Sequence, residues 1–174
     1  MTEGKDLDSY HRLWQARPDQ RELDLALGFM VRHAATLEFF LHQTVRRLVG
    51  GQFAPLVTAG MQASSLLDAA KRIIDAGAVP EKAAEEMTAI SARCRAAFKE
   101  RNKYVHGVRV IGASNSEVWT NNRRNGLVDQ HPLEVENLMK LGADFARLSG
   151  QVSEWSRRVL DGEPKRWSRD QPPE

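Results

Sequence analysis

The sequence predicts an all-α fold, an up-and-down bundle of four main helices with a short β-hairpin or loop insertion between helices three and four. Three observations predict it. Apolar residues recur at spacings of three and four over residues 20–49, 62–76, 80–105 and 132–160, which is one helix face each time. Glycine and proline punctuate the gaps between these stretches. Between the third and fourth stretches the pattern changes to short runs of β-branched residues.

The elements follow in order. Leu7, Tyr10, Leu13 and Trp14 give a short amphipathic helix in an N-terminal extension, residues 1–19, that ends before Pro18, with Asp19 as a cap for the next helix. The first main helix has a seam of Leu23, Leu27, Met30, Ala34, Leu37, Leu41, Thr44 and Leu48, closed by Gly50-Gly51. Beside it runs a second line, Val31, Ala35, Glu38, His42, Val45 and Val49. A turn over 52–60 holds at most a short helix around Phe53–Val57, interrupted by Pro55. The second main helix turns Leu66, Leu67, Ala70, Ile73 and Ile74 inward and stops at Gly77.

Pro80 and the acidic opening turns begin the third main helix. Its stripe is Met87, Ile90, Cys94, Ala97/Phe98, Arg101 and Val105, and Gly107 follows as its stop. Residues 107–112 and 117–120 read as a small hairpin or an ordered loop, followed by the polar turn Asn121–Gly126. Pro132 opens the last helix, which carries Leu138, Phe145, Leu148, Val152 and Trp155 inward. Residues 20–161 are thus one helical domain, and 162–174 read as a disordered tail.

Composition narrows the function classes. No apolar run reaches the ~20 residues of a membrane span, and the start lacks a signal-peptide core, so a cytoplasmic protein is expected. The single cysteine, Cys94, excludes an intramolecular disulfide and reads as a reduced core thiol. The net charge of +2 carries no global polyanion signature, although the 18 arginines among the 25 basic residues suit phosphate contacts. Phosphate-binding loops, dinucleotide fingerprints, HExxH, GxSxG and CxxC are missing, and the five histidines show no i, i+3 or i, i+4 pairing for a metal. No cofactor or metal is expected.

The stretch Lys99-Glu100-Arg101-Asn102-Lys103-Tyr104-Val105-His106-Gly107 remains. It sets an arginine where the stripe asks for an apolar residue, and a buried guanidinium must find an anion or a partner surface. Glu38 either opposes Arg101 or is a solvated helix glutamate. On an ideal helix Arg101 and His106 lie about 140° apart, and Asn102 and His106 only about 40°. Either the helix frays before Gly107 or a second chain completes the site.

Arg101, Asn102 and His106 resemble the motif of HEPN domains: an arginine, a polar residue after it, and a histidine about four to six residues on. The long first helix with Ala34-Ala35-Thr36-Leu37-Glu38 and the long closing helix are similar to small bacterial HEPN-like proteins, over roughly residues 20–160. The resemblance implies a homodimer with two motifs facing across a cleft, and metal-independent RNA cleavage. One His106 would take the 2′-hydroxyl proton, the other would protonate the leaving 5′-oxygen, Arg101 would hold the phosphate, and Asn102 would orient the imidazole or donate to the phosphate. It also implies a toxin–antitoxin or phage-defence role, with an antitoxin or other protein as partner.

Lys103, Arg123 and Arg124 are the candidate RNA contacts, and Glu38 and Tyr104 the supporting residues. Three bland readings stand beside these. Arg101 is a satisfied core arginine with His106 a helix-end cation. Arg123-Arg124 is a solvated turn. The whole chain is a catalytically silent HEPN-like module that binds RNA or protein, or an unrelated bundle.

Overall fold

The computed structural model describes residues 18–111, 116–121 and 126–161. The expected N-terminal helix over residues 7–14, Arg123, Arg124 and the tail 162–174 lie outside the described residues. The chain is mostly helical: α1 (Pro18–Val49), α2 (Ala54–Thr58), α3 (Ala63–Asp75), α4 (Glu81–His106), β1 (Val108–Ile111), β2 (Ser116–Asn121), β3 (Val128–Pro132) and α5 (Val135–Leu160).

The first-helix seam is the core of the molecule. Leu23, Met30, Ala34, Leu37, Leu41 and Thr44 are buried, joined by Ala26 and Val45, while Leu27 and Leu48 pack at its margin. The helix starts at Pro18, with Asp19 already helical, so proline opens it, as its fixed φ and missing N–H allow. Pro55 likewise lies in the first turn of α2 and initiates that helix instead of interrupting it.

Contacts along the helices fix their directions. Arg47 near the end of α1 donates to Ser156 Oγ at 2.9 Å and pairs with Asp161 past the end of α5. Phe29 and Met30 meet Gly142 in the first halves of both, so α1 and α5 run parallel. Gly142 permits this approach, because a Cβ there would sit 2.4 Å from the Phe29 ring. In contrast α4 runs antiparallel to α5: Trp155 Nε1 donates to Ala83 O at 2.9 Å, Arg158 pairs with Glu86, and Phe98 meets Phe145 with ring centroids 5.2 Å apart. The short connection 76–80 folds α3 back against α4, and Arg95 reaches Asp68 across the pair at 2.7 Å, so these two are antiparallel.

The succession α3, α4, α5 is therefore up-and-down, but α1 and α3 point the same way. Residues 50–62 bring the chain back along α1. Arg46 Nε donates to Thr58 Oγ1 at 3.0 Å, and by Ala63 the chain is level with Glu38. This return departs from the strict alternation expected of four consecutive helices.

The insertion is larger than a hairpin. It is a three-stranded antiparallel sheet in the order β1-β2-β3, with Val108 opposite Trp119 and Val118 opposite His131. β3 absorbs Pro132, so the last helix begins at Val135 and Leu133 is buried just before it. Val118 is buried against the end of α4, and Gly107 lies under it. A Cβ on Gly107 would be 2.0 Å from Val118 Cγ1 and 2.6 Å from the Lys103 carbonyl oxygen. The helix ends at His106 with Gly107 as its cap, the stop expected from sequence, but its φ of −84° is open to any residue, so Gly107 is glycine for close packing of the sheet.

Cys94 is buried in the α4 stripe, and burial pushes its thiol from 9.0 to about 11, with Arg93 opposing weakly. A raised folded pKa stabilises the fold below the unfolded value and loses that contribution as pH climbs through the folded one. Stability is expected to fall as pH rises from 9.0 toward about 11, and the Cys94→Ala variant should show a shallower fall in denaturant midpoints. Native protein at neutral pH should resist a thiol-reactive dye that labels the unfolded chain within minutes.

Candidate functional site

α4 delivers the motif residues at its last turns, where the sheet docks. The apolar stripe is buried through Met87, Ile90, Cys94, Ala97 and Phe98. It then fades: Arg101 is half-buried and Val105 is exposed, so neither is the core residue that the spacing suggested. The helix continues through His106, whose side chain is exposed. It does not fray before Gly107. Within one chain Arg101 and His106 therefore keep the ~140° separation of a regular helix.

Arg101 and Asn102 are brought together. Arg101 Nη1 donates to Asn102 Oδ1 at 2.8 Å. The Nε of the same guanidinium is buried with no hydrogen-bond acceptor, and no carboxylate pairs with it among the described residues. A fixed cation with a buried, unused donor is costly unless an anion arrives.

The expected partner does something else. Glu38 Oε1 accepts the Ala63 backbone N–H at 3.1 Å. This carboxylate from α1 satisfies a free donor in the first turn of α3, where no side chain of the Gln62 cap does so, and it lies at the favourable end of that helix dipole. Glu38 is a capping residue and does not oppose Arg101.

Lys103 and Tyr104 both address Glu100. Lys103 Nζ lies 2.6 Å from Glu100 Oε2, and the Tyr104 hydroxyl donates to Glu100 Oε1 at 3.4 Å. The Tyr104 phenol titrates above its ordinary value, mainly through burial and then through the Glu100 charge. Lys103, the proposed phosphate contact, is thus already engaged in an i, i+3 ion pair.

The sheet adds groups that sequence reasoning missed. The Thr120 hydroxyl and His131 Nε2 are 3.2 Å apart. Thr120 also touches Gly107, since its Cγ2 lies 3.1 Å from where a Cβ would be. A second imidazole is therefore carried to the end of α4 that bears His106. No sequence signal marked it, because Val128-Asp129-Gln130-His131-Pro132 has neither the alternation nor the apolar content of a strand. On the opposite face of β2, Trp119 Nε1 donates to Glu117 Oε2 at 3.0 Å.

Elsewhere, a shallow groove between α4 and α5 is lined by Glu86, Arg93, Arg147, Gln151 and Glu154. Arg93 is about 12 Å along α4 from Arg101, so this groove is separate from the motif. No three His, Cys, Asp or Glu side chains cluster as a metal site among the described residues. No described helix is long and apolar enough to cross a membrane. Comparison with family models, curated proteins and solved structures returned no match for this chain.

Proposed function

We propose that this chain is a metal-independent endoribonuclease of the HEPN type, cytoplasmic, acting as a homodimer in toxin–antitoxin or phage defence. The observation that carries the reading is the half-buried Arg101 guanidinium with an unused buried donor and no carboxylate. A phosphodiester supplies the missing acceptors, and its charge grows in the transition state, where a fixed guanidinium stabilises it most.

The chemistry needs two proton carriers. The His106 imidazole removes the proton of a ribose 2′-hydroxyl, and the freed oxygen attacks the adjacent phosphorus. The P–O5′ bond breaks, and the partner's His106 protonates the departing 5′-oxygen. The products are a 2′,3′-cyclic phosphate and a 5′-hydroxyl. A second chain is required because Arg101 and His106 of one α4 face different ways. Asn102 holds Arg101 in place through its amide oxygen.

The test is incubation of the purified protein with single-stranded RNA in the presence of a chelator. Cleavage to cyclic-phosphate ends is expected, with 2′-deoxy substrate untouched. His106→Ala should slow cleavage by about a hundredfold or more. Intact RNA, or cleavage indifferent to His106→Ala, would refute the enzyme reading.

One observation favours a second reading, a catalytically silent HEPN-like module that binds RNA or a protein such as an antitoxin. Lys103 is already paired, and a single chain presents no complete acid–base site. Retained RNA binding without cleavage, weakened by Arg101→Ala, would select it.

A further inference from the structure

We infer that the groove between α4 and α5 binds a small phosphate monoester that also carries hydroxyl or amino donors, a sugar phosphate or a nucleotide. This goes beyond the reading of Arg101 and His106 and uses neither residue. The groove holds about 370 Å³, within the range of small-molecule sites.

The antiparallel register gives the groove two unlike ends. Trp155 on Ala83, Arg158 on Glu86 and Phe145 on Phe98 set the two helices level. Arg93 of α4 therefore stands opposite Arg147 of α5 at one end, and Glu86 stands opposite Glu154 at the other. Seven residues of helix put about 10 Å between these ends, too far for the arginines to pair with the glutamates. Arg93 is in no ion pair among the described residues. Arg147 holds only Asp144, three residues back on its own helix and in an exposed pair. Such a pair is worth little, so an incoming dianion can take over the guanidinium. Two guanidiniums facing across one gap suit the several oxygens of a phosphate.

The rest of the groove offers acceptors. Gln151 lines it, and its Oε1 is buried with no hydrogen-bond partner, a loss that a ligand donor makes good. Glu154 and Glu86 each spend one oxygen on an arginine outside the groove, Arg157 and Arg158, and keep the other as an acceptor. The ligand must therefore set its anion at the arginine end and its donors along the remainder, which inorganic phosphate alone cannot do. Room is left for it at Gly150, where a Cβ would meet nothing within 4 Å. Glycine inside a long helix costs stability relative to alanine, and no neighbour in this chain requires it here.

The experiment is calorimetric titration of the full chain with ribose 5-phosphate, adenosine 5′-monophosphate, adenosine and inorganic phosphate. At least one of the two phosphate esters should bind with Kd below about 1 mM, and the tighter of them names the source. Adenosine and inorganic phosphate should each bind at least about tenfold more weakly. Arg93→Ala, Arg147→Ala and Gly150→Leu should each weaken the ester by about tenfold or more with helicity by circular dichroism unchanged. Gln151→Leu should weaken it similarly while folding at least as stably, because a buried unpaired acceptor is gone. Arg101→Ala should bind as the wild type does, which separates this site from the RNA-cleavage reading. Absence of binding by both esters at 10-fold above that Kd overturns the inference. So does binding that survives Arg93→Ala and Gly150→Leu, or inorganic phosphate binding as tightly as the esters.

Discussion

Trp155→Ala is expected to cost about 4 kcal/mol of folding stability, read as a lowered denaturant midpoint with an unchanged transition slope. Trp155 is fully buried on α5, and its indole N–H ties α5 to the Ala83 carbonyl at the start of α4. Truncation empties the largest side-chain volume in the core, and the helices around it cannot collapse without breaking other contacts. It also removes the indole donor from the Ala83 oxygen, which keeps its place in the helical ladder of α4, so the lost bond adds less than the lost packing. Trp155→Phe should separate the two effects. It keeps most of the volume, loses the hydrogen bond, and should cost about 1–2 kcal/mol. A full-sized loss from Trp155→Phe would mean that the hydrogen bond outweighs packing.

Gly107→Ala should cost about 3 kcal/mol or more and act on one joint of the molecule. The added methyl would lie 2.0 Å from Val118 Cγ1 and 2.6 Å from the Lys103 carbonyl oxygen. The first neighbour is a side chain; the second is backbone and cannot swing away. The sheet must lift off α4. Val118→Ala in the same chain should restore only part of the loss, since the carbonyl clash remains. Amide exchange would show the effect concentrated in β1, β2 and the last turn of α4, where His106 sits. Uniform exchange across α1 and α5 would contradict this local account.

The helices were legible because burial writes a period into sequence. The seam from Leu23 to Thr44, the α3 face of Leu66, Leu67, Ala70 and Ile74, and the α5 face from Leu138 to Trp155 are buried as their spacing suggests. What failed were positions where another force sets the residue. Gly107 and Gly142 look like punctuation or a gap in a stripe, and only the approach of a second element reveals why a side chain is excluded. β3 escaped notice because most of its side chains face solvent, so its sequence carries no alternation. Direction also escaped: nothing in Gly50–Met61 states that the chain doubles back along α1.

The candidate site was legible only in part. Arg101 and Asn102 meet as neighbours on a helix can, and the regular helix through His106 keeps that imidazole apart from Arg101. The Glu38 assignment failed because a carboxylate on a mixed face has two suitors, a distant cation and a nearby bare helix end. The nearer, backbone donor of Ala63 won. His131 was beyond reach, since its place depends on strand pairing between Val118 and a segment that does not read as a strand.

The parallel pairing of α1 with α5 has a consequence for biosynthesis. The Arg47–Ser156 contact spans 109 positions of chain, so α1 emerges from the ribosome long before its principal neighbour exists. Met30, Leu37 and Leu41 must wait with an open flank through most of translation. Nascent chains halted before Val135 should therefore be sticky and chaperone-bound, and fully protease-resistant material should form only after α5 has been made.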